Sequence, residues 1–354
     1  MLNWRINEIE RYRNIREISE DSFRLDMAER QNLFPSEFVD KFHKSFNQLD
    51  LLCYPLDFYE NELTELIKTH IGGKNIEVSI GAGSDHLIKD AIHVFCASEN
   101  KKLLIPTPSF PMYKIYARCF GVDTIEIEHN SILTDFDSLI ENINNKIGLV
   151  ILANPTSPFG EYCSPSDIKK VSQKCHDVGA ILMIDEAYID FVDEPHHLIE
   201  FNLRNTIFLR TFSKAYGFAG GRIGFIYGEG KYISLIKNIN LTYPVSNYSL
   251  KFAIFLLKNS HIVDHYSMLV RKERDILYKE LEKNNVFFYK TQSNSIHILG
   301  NDYFDKKFNA FEMKYDVLVK TSKTASTPIV IPSHPGTNWY RIAIIPNLVN
   351  YLNL

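Results

Sequence analysis

GLVILANPTSPFGEYCSPSDIKKVSQKCHDVGAILMIDEAY, residues 148–188, holds the pattern from which the architecture follows. It opens on an apolar run at 148–152 and closes on another at 180–184, and neither run alternates polar with apolar residues. A strand covered on both faces reads this way, whereas a strand with one wet face alternates. Between the two runs, 166–178 has a helical pattern. A strand–helix–strand unit of this kind pairs its strands in parallel, because only a crossover can return the chain to the same end of the sheet.

The same alternation extends outward in both directions. Runs at 77–80, 102–105, 124–127, 206–209 and 222–227 join the first two as strands, with helical patterns at 85–97, 110–120 and 135–144. Seven strands with interleaved helices predict an α/β fold, a mostly parallel seven-stranded sheet flanked by helices. From about residue 255 the texture changes. A long charged helix at 261–284 precedes short strands at 286–289, 295–299, 317–319 and 340–344, which read as a smaller α+β domain. The expected division is an N-terminal segment, 1–45, packed on the small domain, a large domain over 46–254 and a small domain over 255–354.

Composition narrows the function. The chain has 354 residues, 45% hydrophobic and 23% charged, with a net charge of −4. Its basic residues are scattered, so no footprint for nucleic acid emerges. No apolar run reaches the roughly 20 residues of a membrane helix, and the first residues lack the apolar core of a signal peptide. The cysteines Cys53, Cys96, Cys119, Cys163 and Cys175 include no CxxC, which argues for reduced thiols in a cytoplasmic protein. His196–His197 sit near Pro195 without any HExxH or comparable ligand spacing, and read as surface residues with no metal site expected.

Four segments carry chemistry, and each follows a strand, at the sheet edge where open α/β folds bind ligands. GAGSDH, 81–86, opens a helix, so the amides of Ser84 and Asp85 offer an anion site; a plain glycine turn capped by Ser84 reads equally well. NPTSPFG, 154–160, follows the run at 148–152. Asp185 ends ILMID, where a partly buried carboxylate needs a partner, and Tyr188 lies three residues on; alone, Asp185 reads better as the cap of a turn. TFSKAYGFAGGR, 211–222, sets Lys214 in a polar turn with Thr211, Ser213 and Arg222 nearby; hydroxyls and a guanidinium suit a phosphate, although a single lysine is usually a surface residue.

Taken in this order, the segments resemble fold-type-I pyridoxal 5′-phosphate enzymes, and specifically the histidinol-phosphate aminotransferase-like branch of the class I/II aminotransferases. The resemblance runs from about Tyr54 to Arg341 and rests on DEAY followed by SKAYGFAGGR. It implies that Lys214 holds pyridoxal phosphate as a Schiff base and then shuttles the proton at the substrate carbon. Asp185 would pair with the pyridine nitrogen and Tyr188 with the ring oxygen. Ser213, Arg222 and the amides of Ser84 and Asp85 would bind the phosphate, with Thr211 beside them. Phe110 would stack on the ring, where the branch often has tyrosine, and Ser157 stands where the branch has asparagine. Tyr54, in CYPLD, would reach the neighbouring subunit's phosphate, which implies a homodimer with shared sites. Arg341, in WYRIAI, would hold the acidic group of the substrate, with Lys320 standing where the branch has an arginine. RLDMAERQNLFP, 24–35, replaces the branch's usual substrate loop.

The activity implied is transfer of an amino group between glutamate and a small phosphorylated carbonyl compound. Two other classes compete. Decarboxylases of phosphorylated threonine or serine share these motifs and differ in which bond is held perpendicular to the ring. Regulators built on the same fold carry an extra N-terminal DNA-binding domain, for which the residues ahead of position 45 are too few.

Overall fold

The strands that build the core are those whose residues alternate between two apolar layers. In the computed structural model, which describes residues 17–19, 21–72, 75–128, 136–196, 198–201, 203–321 and 338–354, strand β5 (Ile147–Ala153) is buried along its whole length. Val150 and Leu152 point into one hydrophobic cluster while Leu149 and Ile151 point into the other. Strand β6 (Ile181–Asp185) does the same with Leu182 and Ile184 against Ile181 and Met183. Period-two side-chain alternation thus supplies both faces of a buried sheet, and each fully buried Leu or Ile contributes about 1.5–3 kcal/mol.

The chain order of strands is β1 (Phe23–Arg24), β2 (Ile76–Gly81), β3 (Lys102–Thr107), β4 (Thr124–Glu128), β5, β6, β7 (Thr206–Thr211), β8 (Gly224–Glu229), β9 (Phe287–Tyr289), β10 (Ser295–Leu299), β11 (Val317–Leu318), β12 (Lys320–Thr321) and β13 (Trp339–Ala343). Seven of them form the large sheet in the order β2-β8-β7-β6-β5-β3-β4. Its strands run parallel except β8, which is antiparallel to both β7 and β2. Helices Ser84–Ile92, Met112–Cys119 and Gly230–Ile239 cover one face, and Asp57–Ile71, Phe136–Asn142 and Pro165–Val178 cover the other. The helix Pro165–Val178 shows why the boundaries fall where they do. Ser164 accepts a hydrogen bond from the Asp167 amide, Pro165 opens the first turn, and Gly179 at φ 74° closes the helix in the left-handed conformation.

Reversal at β8 matters for the site. The connection from β7 to β8 stays at one end of the sheet, so residues 212–223 all remain at the carboxyl end of β7. Register then adds the β2 turn. Gly224 lies opposite Thr211 on one side and opposite Gly81 on the other.

A second sheet, β12-β13-β10-β9, is antiparallel and packs with helices His261–Lys283, Asp302–Lys314 and Leu348–Leu352. The N-terminal strand β1 pairs with β11, and beyond it the Ala343 amide donates to the Leu25 carbonyl. Helix Ser36–Ser45 instead packs Phe38 and Phe42 against Phe252 and Phe255 of helix Asn247–Lys258, which runs unbroken across position 254. None of the helices, among the described residues, is long and apolar enough to cross a membrane.

Candidate active site

Asp185 is the last residue of β6, opposite Ala153 of β5 and Leu209 of β7. Its side chain is 6% exposed. The Tyr113 hydroxyl donates to Oδ2 at 2.6 Å and the Ala187 amide donates to Oδ1 at 3.0 Å. The second bond is the turn-capping role; the first is not, and it fixes the carboxylate plane. Burial pushes the Asp185 carboxyl up to about 6, against the pull of the Tyr113 and Ala187 hydrogen bonds. Tyr113 itself is buried and held well above its ordinary pKa by burial and by the Asp185 charge, so it stays a neutral donor. The neighbouring Glu186 faces the other way and pairs with Arg210 at 2.8 Å and with the Tyr227 hydroxyl at 2.7 Å.

Lys214 projects from the turn after β7. Its Nζ donates to the Met27 carbonyl at 2.7 Å and lies 5.5 Å from the Tyr188 ring centroid. Residues 24–35 therefore fold over the lysine, and Gly217, at φ 69°, leaves room for Arg30 beside that turn. Burial and the Asp185 charge raise the Tyr188 pKa. The cations of Lys214 and Arg341 and a hydrogen bond from Arg341 outweigh them, and the phenol falls below its ordinary value. A phenol held this way is suited to share or accept a proton.

The third component is an anion cradle. Gly83, at φ 81° and ψ 169°, caps helix Ser84–Ile92, so Ser84 is the first helical residue rather than the cap. The first amides of that helix have no partner within it and point outward. Arg222, itself in the left-handed region at φ 47°, aims its guanidinium at the same place. Its Nη2 donates to Asp85 Oδ2 at 3.2 Å and its Nη1 to Ser213 Oγ at 3.5 Å, while the Thr211 hydroxyl accepts from the Ser213 amide. A Cβ on Gly83 would fall 2.6 Å from Arg222 Nη2, and one on Gly224 would fall 2.6 Å from the Ser84 nitrogen. The backbone is open where an anion would sit.

Arg341 comes from β13 of the small sheet. It lies opposite His297 of β10 and Lys320 of β12, so all three side chains share one face. The Arg341 Nε is buried and has no hydrogen-bond partner among the described residues. Phe110 packs edge-on against Tyr113 with ring centroids 5.6 Å apart. Ser157 lies partly buried in the turn 154–160. Tyr54 stands apart from these, 77% exposed and stacked on Tyr243 at 5.0 Å.

Several residues of this region were not evident from sequence. Tyr113 lies one helical turn after Phe110, and that spacing was its only signal. His297 is buried, accepts from Trp339 Nε1 and donates through Nε2 to the Pro158 carbonyl at 3.0 Å. Burial and the nearby Arg341 cation hold it neutral, with a pKa lowered to about 3 against the pull of the Pro158 hydrogen bond. Asn154 is fully buried; its Oδ1 accepts from the Cys163 amide while its Nδ2 has no partner among the described residues. No group of three or more metal-ligating side chains occurs among the described residues, which do not include His197.

Comparison with known proteins settles the family. The model of the family "Aminotransferase class I and II" matches residues 50–350. The chain belongs to the class I and II aminotransferases. It is 30% identical over 273 residues to a histidinol-phosphate aminotransferase of Clostridium beijerinckii, covering 76% of this chain and 74% of that one. A histidinol-phosphate aminotransferase of Leuconostoc mesenteroides is likewise 30% identical over 258 residues, 70% of this chain and 71% of that one. Among solved structures, the histidinol-phosphate aminotransferase from Clostridium acetobutylicum superposes with a TM-score of 0.77 at 20% identity, covering 94% of this chain and 96% of that one. That from Sinorhizobium meliloti, in complex with pyridoxal-5′-phosphate, gives 0.76 at 20% identity, covering 94% and 88%. This aminotransferase is a pyridoxal phosphate enzyme. The site fits the cofactor: the glycine cradle suits a phosphate, and the orphaned Asn154 amide nitrogen at the sheet edge offers a further donor.

Proposed function

We propose that this aminotransferase moves the amino group of glutamate to a small phosphorylated carbonyl compound, with Lys214 as its acid–base group. The observation that carries this reading is the convergence of Lys214 and Arg341, drawn from two parts of the fold, on Tyr188, whose phenol also feels the Asp185 charge. In this reading the amides of Ser84 and Asp85, the hydroxyls of Thr211 and Ser213 and the Arg222 guanidinium hold the cofactor phosphate. Phe110 covers one ring face, and Tyr188 and Ser157 hydrogen-bond the ring oxygen. Asp185 faces the ring nitrogen and keeps it protonated. When bound, pyridoxal phosphate supplies an electron sink for charge developing at the substrate carbon. The Lys214 amine, released from the Met27 carbonyl, would remove the proton at that carbon and return it elsewhere, with the Tyr188 phenol beside it.

The small sheet supports an acidic substrate. Arg341 and Lys320 place two cations side by side, and the buried Arg341 Nε still has a donor to offer. A guanidinium grips a carboxylate or phosphate through paired donors. Because one pocket must serve donor and acceptor in turn, both substrates are expected to carry such a group.

A homodimer completes this reading, with Tyr54 serving the neighbouring subunit's phosphate. What supports it is the surface around Tyr54. Leu49, Leu51, Leu52 and Phe58 are all more than half exposed, and Leu241 and Tyr243 continue the patch. Contiguous apolar exposure of this kind marks an interface.

The test is a single half-reaction. Enzyme loaded with pyridoxal phosphate and given glutamate should lose its near-visible absorbance and release 2-oxoglutarate. Phosphothreonine and phosphoserine should release no carbon dioxide. Carbon dioxide release without amine transfer would overturn the proposal in favour of decarboxylation.

A further inference from the structure

Segment 47–58 presents an apolar outer face, and such an arm would collapse onto its own domain unless something held it out. Two residues of helix Asn247–Lys258, one turn apart, do so. Asn247 is 3% exposed. Its Oδ1 accepts from the Leu56 amide at 2.9 Å, and its Nδ2 donates to the carbonyls of Asp50 and Cys53 at 3.2 Å and of Tyr54 at 3.4 Å. Two amide hydrogens thus serve three carbonyls in shared bonds. Lys251 ties down the start of the arm, donating to Asp50 Oδ2 at 2.7 Å and to the Ser45 carbonyl at 2.6 Å, while the Tyr59 hydroxyl donates to Asp50 Oδ1 at 2.7 Å.

This bonding falls on the backbone on both sides of Tyr54 and leaves its side chain pointing away, stacked on Tyr243 with ring planes 16° apart. We infer that Asn247 is a positioning residue that acts across the subunit boundary, fixing the backbone of Cys53–Leu56 so that Tyr54 meets the partner's phosphate cradle. The inference rests on the shared-site dimer proposed above. Burying an amide that is fully used by one loop has a physical consequence: truncating it leaves a carbonyl-rich, unpaired segment free to shift. The arm would then lose its aim, while the cradle of the same subunit would remain intact.

Subunit mixing separates the two effects. The readout is the amount of cofactor that borohydride fixes to Lys214 at graded pyridoxal phosphate concentrations, which counts only sites that have Lys214. The Asn247→Ala homodimer is expected to bind pyridoxal phosphate on the order of tenfold more weakly than the unsubstituted protein. Mixed dimers with Lys214→Ala subunits should return to unsubstituted affinity, because the one countable site then receives its Tyr54 from a subunit with Asn247 intact. If mixing leaves the affinity weak, or if Asn247→Ala binds normally from the start, the inference is overturned. Tyr54→Phe mixed with Lys214→Ala is the companion experiment. Failure of that mixture to rescue a weakened Tyr54→Phe site refutes the shared-site reading itself. Rescue there without rescue of Asn247→Ala refutes only the positioning role. If Asn247→Ala does not accumulate as folded protein, Asn247→Ser, which keeps a hydroxyl at this place, is carried through the same mixtures with the same outcomes.

Discussion

Replacing Asp185 by asparagine should change two quantities in opposite directions. In the cofactor-free protein the carboxylate is a costly group, because burial pushes its pKa from 3.8 to about 6. A carboxyl whose folded pKa is raised contributes stability that is full below about pH 4 and lost as pH rises through about 6. At pH 8 the protein therefore carries the whole penalty. About two pKa units at about 1.4 kcal/mol each come to roughly 3 kcal/mol. Asparagine fits the same bonds: its oxygen accepts from the Ala187 amide and its nitrogen donates to the Tyr113 hydroxyl. Asp185→Asn should thus raise the unfolding free energy of the cofactor-free protein by on the order of 2–3 kcal/mol at pH 8, and the gain should shrink steadily between about pH 6 and about pH 4. In the proposed reading the Asp185 carboxylate faces the ring nitrogen of the bound cofactor, so the same substitution should lower turnover on the order of 10²-fold or more. Denaturant unfolding at several pH values, with and without pyridoxal phosphate, measures both. A variant less stable than the original at pH 8, or a gain that does not depend on pH, would refute the placement of an ionised, desolvated carboxylate at the end of β6.

Other predictions follow from single contacts. Gly83→Ala puts a Cβ on Arg222 and forces a backbone region open almost only to glycine, at about 1–3 kcal/mol; cofactor affinity measured by fluorescence titration should fall on the order of tenfold or more. Tyr113→Phe removes one bond to Asp185 and should move its pKa further up, so cofactor binding followed against pH should weaken first at the acid end. Arg341→Gln should raise the KM for acidic substrates roughly 10- to 100-fold with cofactor affinity little changed, as steady-state kinetics with glutamate would show.

The uniformly apolar runs made the large sheet legible, since β5 and β6 are buried on both faces and need no partner to be recognised. Ends were less so. The run expected at 222–227 begins two residues later, because Arg222 sits in the left-handed region and cannot extend a strand. The helix expected at 85–97 is α-helical only to Ile92 and finishes as a wider π turn over His93–Ala97. Lys214, Asp185 and Arg222 were legible because they sit in short motifs at strand ends. Tyr113, Asn247 and His297 were not, because each acts on a partner 72 or more positions away. The carbonyl of Met27 on Lys214 carries no side-chain signal at all.

In the proposed reading Lys214 is the residue that holds the cofactor. Protein loaded with pyridoxal phosphate, reduced with borohydride and digested with trypsin should carry the label on one peptide, the one that begins at Thr211 and ends at Arg222 with Lys214 uncleaved. A label on any other lysine, or a reduced protein without label, would contradict it.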